Sequence, residues 1–407
     1  MSLSNGRNPN GPDINVKEEK RWLTRNVVGS GLTSLFSDMS HEMATSILPF
    51  FIVAIGGTAA IVGLVEGASD AASSAIKAYS GHFSDKIGKR TPIMYVGYVL
   101  TAILMPAIGF ATAWVEVLAL RVGAWMGRGA RGPPRDALIS ESVEPRSVGK
   151  AFGFQRALDT IGAVIGVGIA LILIPYLPYS NIFFVSLIPG IISVVVVIAL
   201  VKDVPRKVQA KSRSFRASLV GLPRSFRLFL IPAALFGIAN FSNVLFTLRA
   251  EEVLQPSLGI QSSDFVAVLL YLILNVAYAL TSYVAGFFAD RISKKYILAL
   301  GYTFFSLACF ASVFEVPQIV ILLVIFVLAG ISVGIVDPLE GAFAASMLDS
   351  AERGAGYGVL QTVNGIGDFV SSTMIGVLWT VLTPAIGFAT VAMISIAAGA
   401  VLLTAVR

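Results

Sequence analysis

The sequence predicts an all-α membrane protein with twelve transmembrane helices arranged as two pseudo-symmetric six-helix bundles. Three observations support this fold class: 56% of the 407 residues are hydrophobic, only 13% are charged, and the mean hydropathy is +0.80. A soluble domain has about 25% charged residues, so this chain lacks the charge for a water-facing surface. Apolar runs of about 20 residues cross a bilayer as helices, and the chain contains about a dozen of them.

These runs predict the positions of the twelve helices. The helices are expected near residues 27–55, 60–83, 91–113, 115–135, 150–176, 181–201, 228–250, 263–288, 296–314, 317–343, 355–379 and 384–405. Lys and Arg collect in every second connection, above all in 202–227, which has eight of them against one Asp. Because an excess of Lys and Arg marks cytoplasmic loops, both termini and this linker are expected to be cytoplasmic.

The basic linker divides the chain into four predicted regions. Residues 1–26 are polar and are expected to form a disordered cytoplasmic tail rather than a cleaved signal peptide. Residues 27–201 and 228–407 are the two predicted bundles, joined by 202–227. The single cysteine, Cys309, excludes an intramolecular disulfide, and there is no cysteine pattern for zinc or redox chemistry. No cofactor is expected.

The two halves repeat each other at a constant offset of 205 residues. GHFSDKIGKR at 81–90 aligns with GFFADRISKK at 286–295. At the same offset, GKAFGFQRALDTIG at 149–162 aligns with GAGYGVLQTVNGIG at 354–367. Parallel repeats of this kind are typical of transporters, whose substrate site lies between the repeats near the midplane of the membrane.

The repeated loop resembles the signature loop of the major facilitator superfamily. In the first half, the motif G-x-x-x-D-[RK]-x-G-[RK]-[RK] is filled by Gly81, Asp85, Lys86, Gly88, Lys89 and Arg90. The second half keeps Gly286, Asp290 and Arg291, with Ser293 in place of the later glycine. The resemblance implies a twelve-helix transporter whose cytoplasmic face is gated by this loop. Residues 127–164 also resemble a prokaryotic group of poorly characterised transporters, to which magnetosome proteins associated with iron are distantly similar.

Polar and ionisable residues inside the predicted spans are the candidate functional residues. A charged side chain at the bilayer centre costs about 2.5–3.5 kcal/mol, so it faces protein or a watery cavity. The predicted substrate and proton-coupling residues are Asp38, His41, Glu42, Glu66, Asp70, Asn240, Asn243, Asn275, Asp337 and Glu340. Their spacing places the first three on one helix face. The resemblance further implies that the central path is lined by Asp38, Glu42, Asn240, Asn243 and Asp337.

The repeat pairs acids of the first half with amides of the second half. At the offset of 205, Asp38, Asp70 and Asp159 align with Asn243, Asn275 and Asn364. An amide keeps the hydrogen-bonding shape of the acid but cannot take up a proton. In a low-dielectric cavity a carboxylate can be protonated near neutral pH, so the pattern predicts proton coupling. The alternative is a set of structural hydrogen bonds or ion pairs between helices.

Charged residues near the cytoplasmic mouth are predicted to bind an anion or to form a gate. These residues are Arg131, Arg135, Asp136, Arg156 and Asp159. Arg135 aligns with Glu340, so the two are candidates to meet across the pseudo-twofold axis. Arg156 and Asp159 are a candidate local pair, and the prolines at 133–134 are expected to disturb the helix. The alternative is that the arginines only follow the positive-inside rule.

The sequence therefore predicts a secondary transporter that moves a small solute by alternating access, with proton coupling and efflux. Three alternatives stay open: a divalent metal or iron transporter that uses Asp38, His41 and Glu42, a transporter of an anionic, phosphorylated solute, and a non-transporting membrane sensor. No P-loop motif and no Ser/His/Asp arrangement is present, and the chain has only two histidines, so no enzyme activity is expected.

The expected partners are the solute or ion, the proton and the lipid bilayer. The net charge is +6, but the basic residues collect in loops, so no nucleic-acid partner is expected. The chain is expected to act as a monomer in the plasma (inner) membrane.

Overall fold

The computed structural model describes residues 22–204, 222–289, 291–349 and 353–405, and this part of the chain is almost entirely helical. Its thirteen α-helices are α1 Arg25–Ala54, α2 Ala59–Ile87, α3 Thr91–Ala107, α4 Trp114–Glu141, α5 Val148–Leu173, α6 Tyr179–Leu200, α7 Arg224–Gly237, α8 Val244–Leu258, α9 Ile260–Ala289, α10 Lys294–Ala311, α11 Ile319–Ala345, α12 Arg353–Val381 and α13 Pro384–Ala405. Seven candidate spans in the described residues are long and apolar enough to cross a membrane by length and composition alone. Because α7 and α8 together make one crossing, the helices form the predicted twelve spans.

The two predicted polar regions fall largely outside this description. Most of the predicted tail, residues 1–21, and most of the predicted linker, residues 205–221, lie outside the described residues. The division into tail, bundles and linker therefore stays a prediction.

The predicted helix at 228–250 is wrong as a single helix, because α7 ends at Gly237 and α8 begins at Val244. Residues 238–243 between them have the sequence IANFSN, and Asn and Ser compete with helical hydrogen bonds through their own polar groups. The backbone N–H of Ser242 donates to the Ser372 hydroxyl of α12 at 3.0 Å instead of to its own helix. The break therefore places backbone groups and polar side chains of residues 240–243 at a central cavity inside the protein.

The prolines at 133–134 do not disturb α4 in the predicted way. The helix, expected to end at residue 135, continues through both prolines to Glu141. Prolines are tolerated in membrane-spanning helices because neighbouring helices and side chains stabilise the freed backbone groups. Here α4 packs along both α2 and α3, and Pro134 is buried.

The sequence repeat is also a repeat of helix packing. Gly129 of α4 lies against the Ser73 carbonyl of α2, and Gly334 of α11 lies against the Tyr278 carbonyl of α9. Both glycines and both of their partners are separated by the offset of 205 residues. A Cβ on Gly334 would lie 2.8 Å from the Tyr278 oxygen, so only glycine permits this close approach.

A seam of small residues joins the two halves along α2 and α12. Gly63 and Gly67 of α2 lie against the backbone of Ser372 and Phe369 of α12. Further toward the outer side, Gly376 of α12 lies against the backbone of the first turn of α2. Small residues allow helix backbones to approach closely in a membrane, so the seam closes this side of the protein.

The outer ends of α6 and α9 complete the closure. The Tyr179 hydroxyl of α6 donates to the Asp264 carboxylate of α9. The Gln261 side chain donates to the Pro175 carbonyl at 2.9 Å. Since the basic linker marks the cytoplasmic side, these contacts lie on the opposite, outer side. The described structure is thus sealed outside, and its cavities open toward the cytoplasm.

Candidate functional site

Two cavities lie between the halves. The vestibule, of about 590 Å³, lies nearer the cytoplasm, and its charged lining residues are Asp38, Lys77, Arg128, Arg131, Arg135, Asp136, Arg156 and Asp159. The central cavity, of about 360 Å³, lies deeper, and its charged lining residues are Glu42, Glu66, Asp70, Lys77, Arg121, Arg128, Asp337 and Asp368. Bases therefore outnumber acids in the vestibule, whereas acids outnumber bases five to three in the central cavity.

His41 lies between two carboxylates of its own helix and is fully buried. Its Nδ1 lies 3.2 Å from an Asp38 oxygen, and its Nε2 lies 3.1 Å from a Glu42 oxygen. An Arg128 nitrogen of α4 lies 2.6 Å from the same Nε2. The three residues thus share one face of α1 as their spacing predicts, with Asp38 at the vestibule and Glu42 at the central cavity.

A buried ion pair joins α2 to α4 at the central cavity. The Arg121 guanidinium donates from Nε to Glu66 at 3.0 Å and lies over the Trp125 ring at 3.4 Å. It also donates to the Thr45 hydroxyl at 2.9 Å. The Trp125 indole N–H donates to Asp70 at 2.9 Å. Removing Arg121 would leave the Glu66 charge buried and unpaired, which is far costlier than losing an exposed pair.

Two hydroxyls of the second half bind carboxylates of the first half. The Tyr271 hydroxyl of α9 donates to Glu42 at 3.0 Å, and the Ser242 hydroxyl donates to Glu66 at 2.8 Å. Tyr271 and Ser242 were not among the predicted site residues. The repeat offers a signal for Tyr271, since it occupies the position that aligns with Glu66. Residues of both halves therefore form the site.

The second half contributes an acid and amide pair and one further acid. The Asn240 amide donates to Asp368 of α12 at 3.1 Å, and Asp337 of α11 lines the central cavity. Asn243 lies at the start of α8 and lines the same cavity. Four of the five residues that the resemblance assigns to the central path thus line this cavity. The fifth, Asp38, lines the vestibule.

Besides the fully buried His41, two of the predicted substrate and proton-coupling residues are absent from the linings of these two cavities. Asn275 donates to the Tyr271 carbonyl on its own helix at 2.9 Å. Glu340 is buried and accepts a hydrogen bond from the Asn364 amide at 2.6 Å. Each of them therefore bonds within the second half, as the structural alternative expects.

The predicted contact between Arg135 and Glu340 does not form in this structure. Arg135 instead donates to Asp136 at 3.0 Å and to the Ser34 hydroxyl at 3.2 Å. The reason is geometric: the halves are separated at the cytoplasmic side, so each charge is satisfied within its own half.

The other residues of the predicted gate are also paired on the first half. Arg156 and Asp159 form the expected local pair, with nitrogen and oxygen 3.5 Å apart. Arg131 is buried, lies over the Tyr98 ring at 4.1 Å and approaches Asp38 at 3.9 Å. The vestibule arginines are thus held by neighbouring acids and an aromatic ring.

The signature loop is fixed to the cytoplasmic ends of α4 and α6. Gly88 ends α2 with a φ of 72°, a left-handed conformation that favours glycine. The Arg90 guanidinium donates to Ser84 at 2.5 Å and to Glu141 at 2.9 Å. Asp203 accepts hydrogen bonds from the backbone N–H groups of Arg90 and Thr91 at 2.6 and 3.1 Å. Asp203, which was not among the predicted site residues, thus caps the N-terminus of α3.

Apart from Gly81, the remaining residues of the two signature loops are exposed or have side chains outside the described part. Lys86 and Lys89 are exposed, and Gly81 packs near Pro133. In the second half, Gly286 has open space around it and the Arg291 guanidinium lies over the Phe287 ring at 4.2 Å. The Asp85 side chain and Asp290 lie outside the described residues. The gating role of both loops stays a prediction.

The geometry around His41 argues against the metal alternative. Among the described residues, no group of three His, Cys, Asp or Glu side chains is arranged to hold a metal ion. Asp38, His41 and Glu42 do come together, but the Arg128 guanidinium faces the His41 nitrogen that a metal would need. A positive charge at that position repels a divalent cation.

Comparisons with known proteins agree with this architecture. The family model of the Major Facilitator Superfamily matches residues 31–276 and 253–407. An uncharacterized MFS-type transporter of Methanocaldococcus jannaschii is 31% identical over 95% of this chain and 96% of that protein. A multidrug resistance protein of Aeromonas hydrophila is 28% identical over 28% of this chain and 29% of that protein.

Solved structures show the same fold at low sequence identity. The crystal structure of the nucleoside transporter NupG superimposes with a TM-score of 0.75 at 14% identity and covers 94% of this chain and 99% of that chain. The crystal structure of a D-xylose–proton symporter gives a TM-score of 0.70 at 15% identity, with 94% and 97% covered. At these identities the likeness extends to the fold alone.

Proposed function

The chain belongs to the Major Facilitator Superfamily and is a membrane transporter, and from this premise we propose that it exports a small organic cation in exchange for protons. The observation that carries this proposal is the excess of carboxyl groups in the central cavity, where five acids face three bases. The cavity lies between the two halves, where transporters with parallel repeats bind their substrates.

The excess acids supply the binding chemistry. Glu66 is neutralised by Arg121, and Glu42 bonds to His41 and Tyr271. The other three carboxyl groups of the cavity, those of Asp70, Asp337 and Asp368, all lie near Lys77. Uncompensated charges in a low-dielectric cavity are costly, so these carboxyl groups gain stability from either a proton or a bound cation.

Aromatic side chains in the central cavity favour an organic cation over a small hydrated ion as the substrate. The central cavity is also lined by Trp125, Phe236, Phe241 and Tyr271. Aromatic faces attract cations and bury apolar groups, whereas a small hydrated ion gains little from them. Competition between the cation and protons for the same carboxyl groups gives exchange without any further coupling element.

The direction of transport is proposed from the open side and from one relative. The vestibule admits a solute from the cytoplasm in the sealed-outside state described above. The Aeromonas hydrophila relative is named a multidrug resistance protein, which supports export. We propose that the bundles at 27–201 and 228–407 rock about the cavity as a monomer in the inner membrane.

The anionic-solute alternative has one observation in its favour, the surplus of bases in the vestibule. Two of those bases are already bonded to acids: Arg135 bonds to Asp136, and Arg156 bonds to Asp159. An anion would have to displace these acids, whereas a cation in the central cavity meets acids in excess.

Transport into proteoliposomes tests the proposal. A pH gradient is imposed, and the uptake of radiolabelled tetraphenylphosphonium, Mn²⁺ and glycerol phosphate is measured in parallel. We expect only the organic cation to accumulate against its gradient, with proton movement in the opposite direction. Accumulation of Mn²⁺ or of glycerol phosphate without the organic cation would replace the proposal by the corresponding alternative.

Substitutions locate the site within the same assay. Asp70→Asn and Asp368→Asn each remove one carboxylate from the cavity, and we expect about tenfold or greater loss of cation affinity, which corresponds to about 1.4 kcal/mol. Glu144→Gln is the matched control, because Glu144 is an exposed acid paired with Arg146 on a loop. Equal losses in the control and the cavity variants would place the binding site elsewhere.

A further inference from the structure

The Nε2 atom of His41 has two neighbours that it cannot satisfy at the same time. Arg128 approaches it at 2.6 Å and Glu42 at 3.1 Å. A guanidinium only donates hydrogen bonds, and a carboxylate only accepts them. An unprotonated Nε2 therefore bonds to Arg128, and a protonated Nε2 bonds to Glu42. The position has two mutually exclusive partners, one for each protonation state.

The other ring nitrogen has only acceptors around it. Nδ1 lies 3.2 Å from the Asp38 carboxylate and 3.1 Å from the Ser37 carbonyl oxygen. Nδ1 therefore carries a hydrogen in both states, because a bare nitrogen there would face oxygen lone pairs. Loss of the Nδ1 proton would also leave an Nε2–H group pointing at the Arg128 guanidinium. Proton exchange is thus confined to Nε2.

We propose that His41 is a one-proton store that loads and unloads through Nε2 by way of Glu42, with Arg128 as the partner of the unloaded state. Loading breaks the O–H bond of protonated Glu42 and forms the N–H bond at Nε2. The products are an imidazolium and a Glu42 carboxylate that accepts the new hydrogen bond. Unloading reverses these steps and returns the proton to Glu42.

The surroundings of the two partners permit this exchange. Glu42 lines the central cavity, so it can gain or lose a proton there. Arg128 lines both cavities, so its guanidinium has room to turn away and neighbouring acids to meet. His41 itself is fully buried, which excludes direct exchange with solvent. One-sided exchange also prevents protons from leaking between the two cavities through the ring.

The store connects the proton to the contact between the halves. Tyr271 donates to the Glu42 carboxylate at 3.0 Å, and a charge-assisted hydrogen bond is about twice as strong as a neutral one. Protonation of His41 therefore strengthens the hydrogen bond between Tyr271 and Glu42, which joins the two halves in the state that is sealed on the outer side. The ionisable groups around this cluster are Asp38 and Glu42 on α1, Asp70 and Lys77 on α2, Arg128 and Arg131 on α4, Asp159 on α5 and Tyr271 on α9. This inference rests on the proposed proton exchange.

Nitrogen NMR of histidine tests the store without any transport measurement. The chain has only two histidines, so a His82→Gln variant leaves His41 as the single signal in protein labelled with ¹⁵N-histidine and held in lipid nanodiscs. We expect the neutral form to be the Nδ1–H tautomer at high pH. On acidification we expect the imidazolium, with no Nε2–H neutral tautomer at any pH. A dominant Nε2–H tautomer would overturn the proposal.

Three further substitutions in this background test the two partners. At the pH where His41 is half protonated, Arg128→Gln is expected to increase the imidazolium to more than about 90%, and Glu42→Gln to decrease it below about 10%, each a tenfold change in the equilibrium. Arg156→Gln removes the same charge from the vestibule without touching His41, and we expect it to leave the ratio within about twofold. An equal effect of Arg156→Gln and Arg128→Gln, or no effect of either partner, would contradict the store.

The two proposals fail in different ways. If His41 titrates as expected while proteoliposomes show no pH-driven cation export, then the proposed function is wrong and the store remains. If export is proton-driven while His41 stays neutral across the working pH range, then the store is wrong and the proposed function remains.

Discussion

Gly63 of α2 lies so close to the Ser372 carbonyl of α12 that a Cβ on Gly63 would overlap the carbonyl oxygen. This contact joins the first half to the second half at the seam that seals the outer side. The Ser372 hydroxyl also accepts the backbone N–H of Ser242 beside the helix break. Sealing of the outer side and the shape of the central cavity therefore depend on the same stretch of α12.

A Gly63→Ala substitution is expected to open the outer seam. The added methyl group cannot be accommodated without moving α12, so the sealed state loses stability relative to an outward-open state. The measurement is the maleimide labelling rate of Ala60→Cys at the seam, in a Cys309→Ser background. We expect labelling to accelerate by about tenfold, equivalent to about 1.4 kcal/mol.

Gly168→Ala is the control for the seam, because a Cβ at Gly168 of α5 would meet nothing within 4 Å. It should leave the labelling rate unchanged. Unchanged labelling in the Gly63→Ala variant as well would show that the seam does not control outer access.

Arg121→Met is expected to destabilise the protein strongly. The substitution leaves the Glu66 carboxylate buried with the Ser242 hydroxyl as its hydrogen-bond donor among the described residues, and breaking a buried ion pair costs about 3–5 kcal/mol. The double variant Glu66→Met with Arg121→Met should recover most of that loss, because apolar side chains tolerate the same site. Unfolding by increasing fractions of denaturing detergent measures both, and additive losses in the double variant would refute the coupling.

The fold could be predicted from the sequence because the apolar runs and the internal repeat extend over long stretches of the chain. Twelve spans follow from apolar runs, and the offset of 205 is confirmed in space by the matching contacts of Gly129 and Gly334. The break at 238–243 was not predictable from the repeat, since it aligns with 33–38 inside the continuous helix α1. A tertiary hydrogen bond from Ser242 to α12 stabilises the broken form in the second half, and the repeat carries no signal for this bond.

Half of the charged residues that line the central cavity, namely Glu42, Glu66, Asp70 and Asp337, were in the predicted set, but their bonding partners were not predictable. Buried charge is visible in the sequence because a charge inside an apolar run is costly. The partners, however, lie on other helices: Arg121 is 55 residues from Glu66, and Tyr271 is 229 residues from Glu42. Such distances along the chain carry no local pattern, so only the folded structure reveals which acids are neutralised.

Asp203→Ala is expected to loosen the signature loop. Asp203 accepts from the backbone of Arg90 and from both the backbone and the hydroxyl of Thr91, and removing such a cap costs about 0.5–2 kcal/mol. The loss should appear as a lower midpoint of thermal unfolding in detergent. Lys202→Ala, one residue earlier and exposed, is the control. Equal midpoints for both variants would deny Asp203 a capping role.

Asp38→Asn is expected to separate proton coupling from solute movement. An amide oxygen can still accept the His41 Nδ1–H, but it supplies no negative charge for an imidazolium. The substitution copies Asn243, the residue at the aligned position of the second half. Gradient-driven accumulation of the organic cation should therefore fall by about tenfold, the effect of about 1.4 kcal/mol on the proton equilibrium. Exchange of labelled for unlabelled cation, which needs no net proton movement, should stay within about twofold of the unmodified protein. Since both assays use the same proteoliposomes, a parallel loss of exchange would indicate damage to the fold or the cavity, and unchanged accumulation would remove Asp38 from the coupling mechanism.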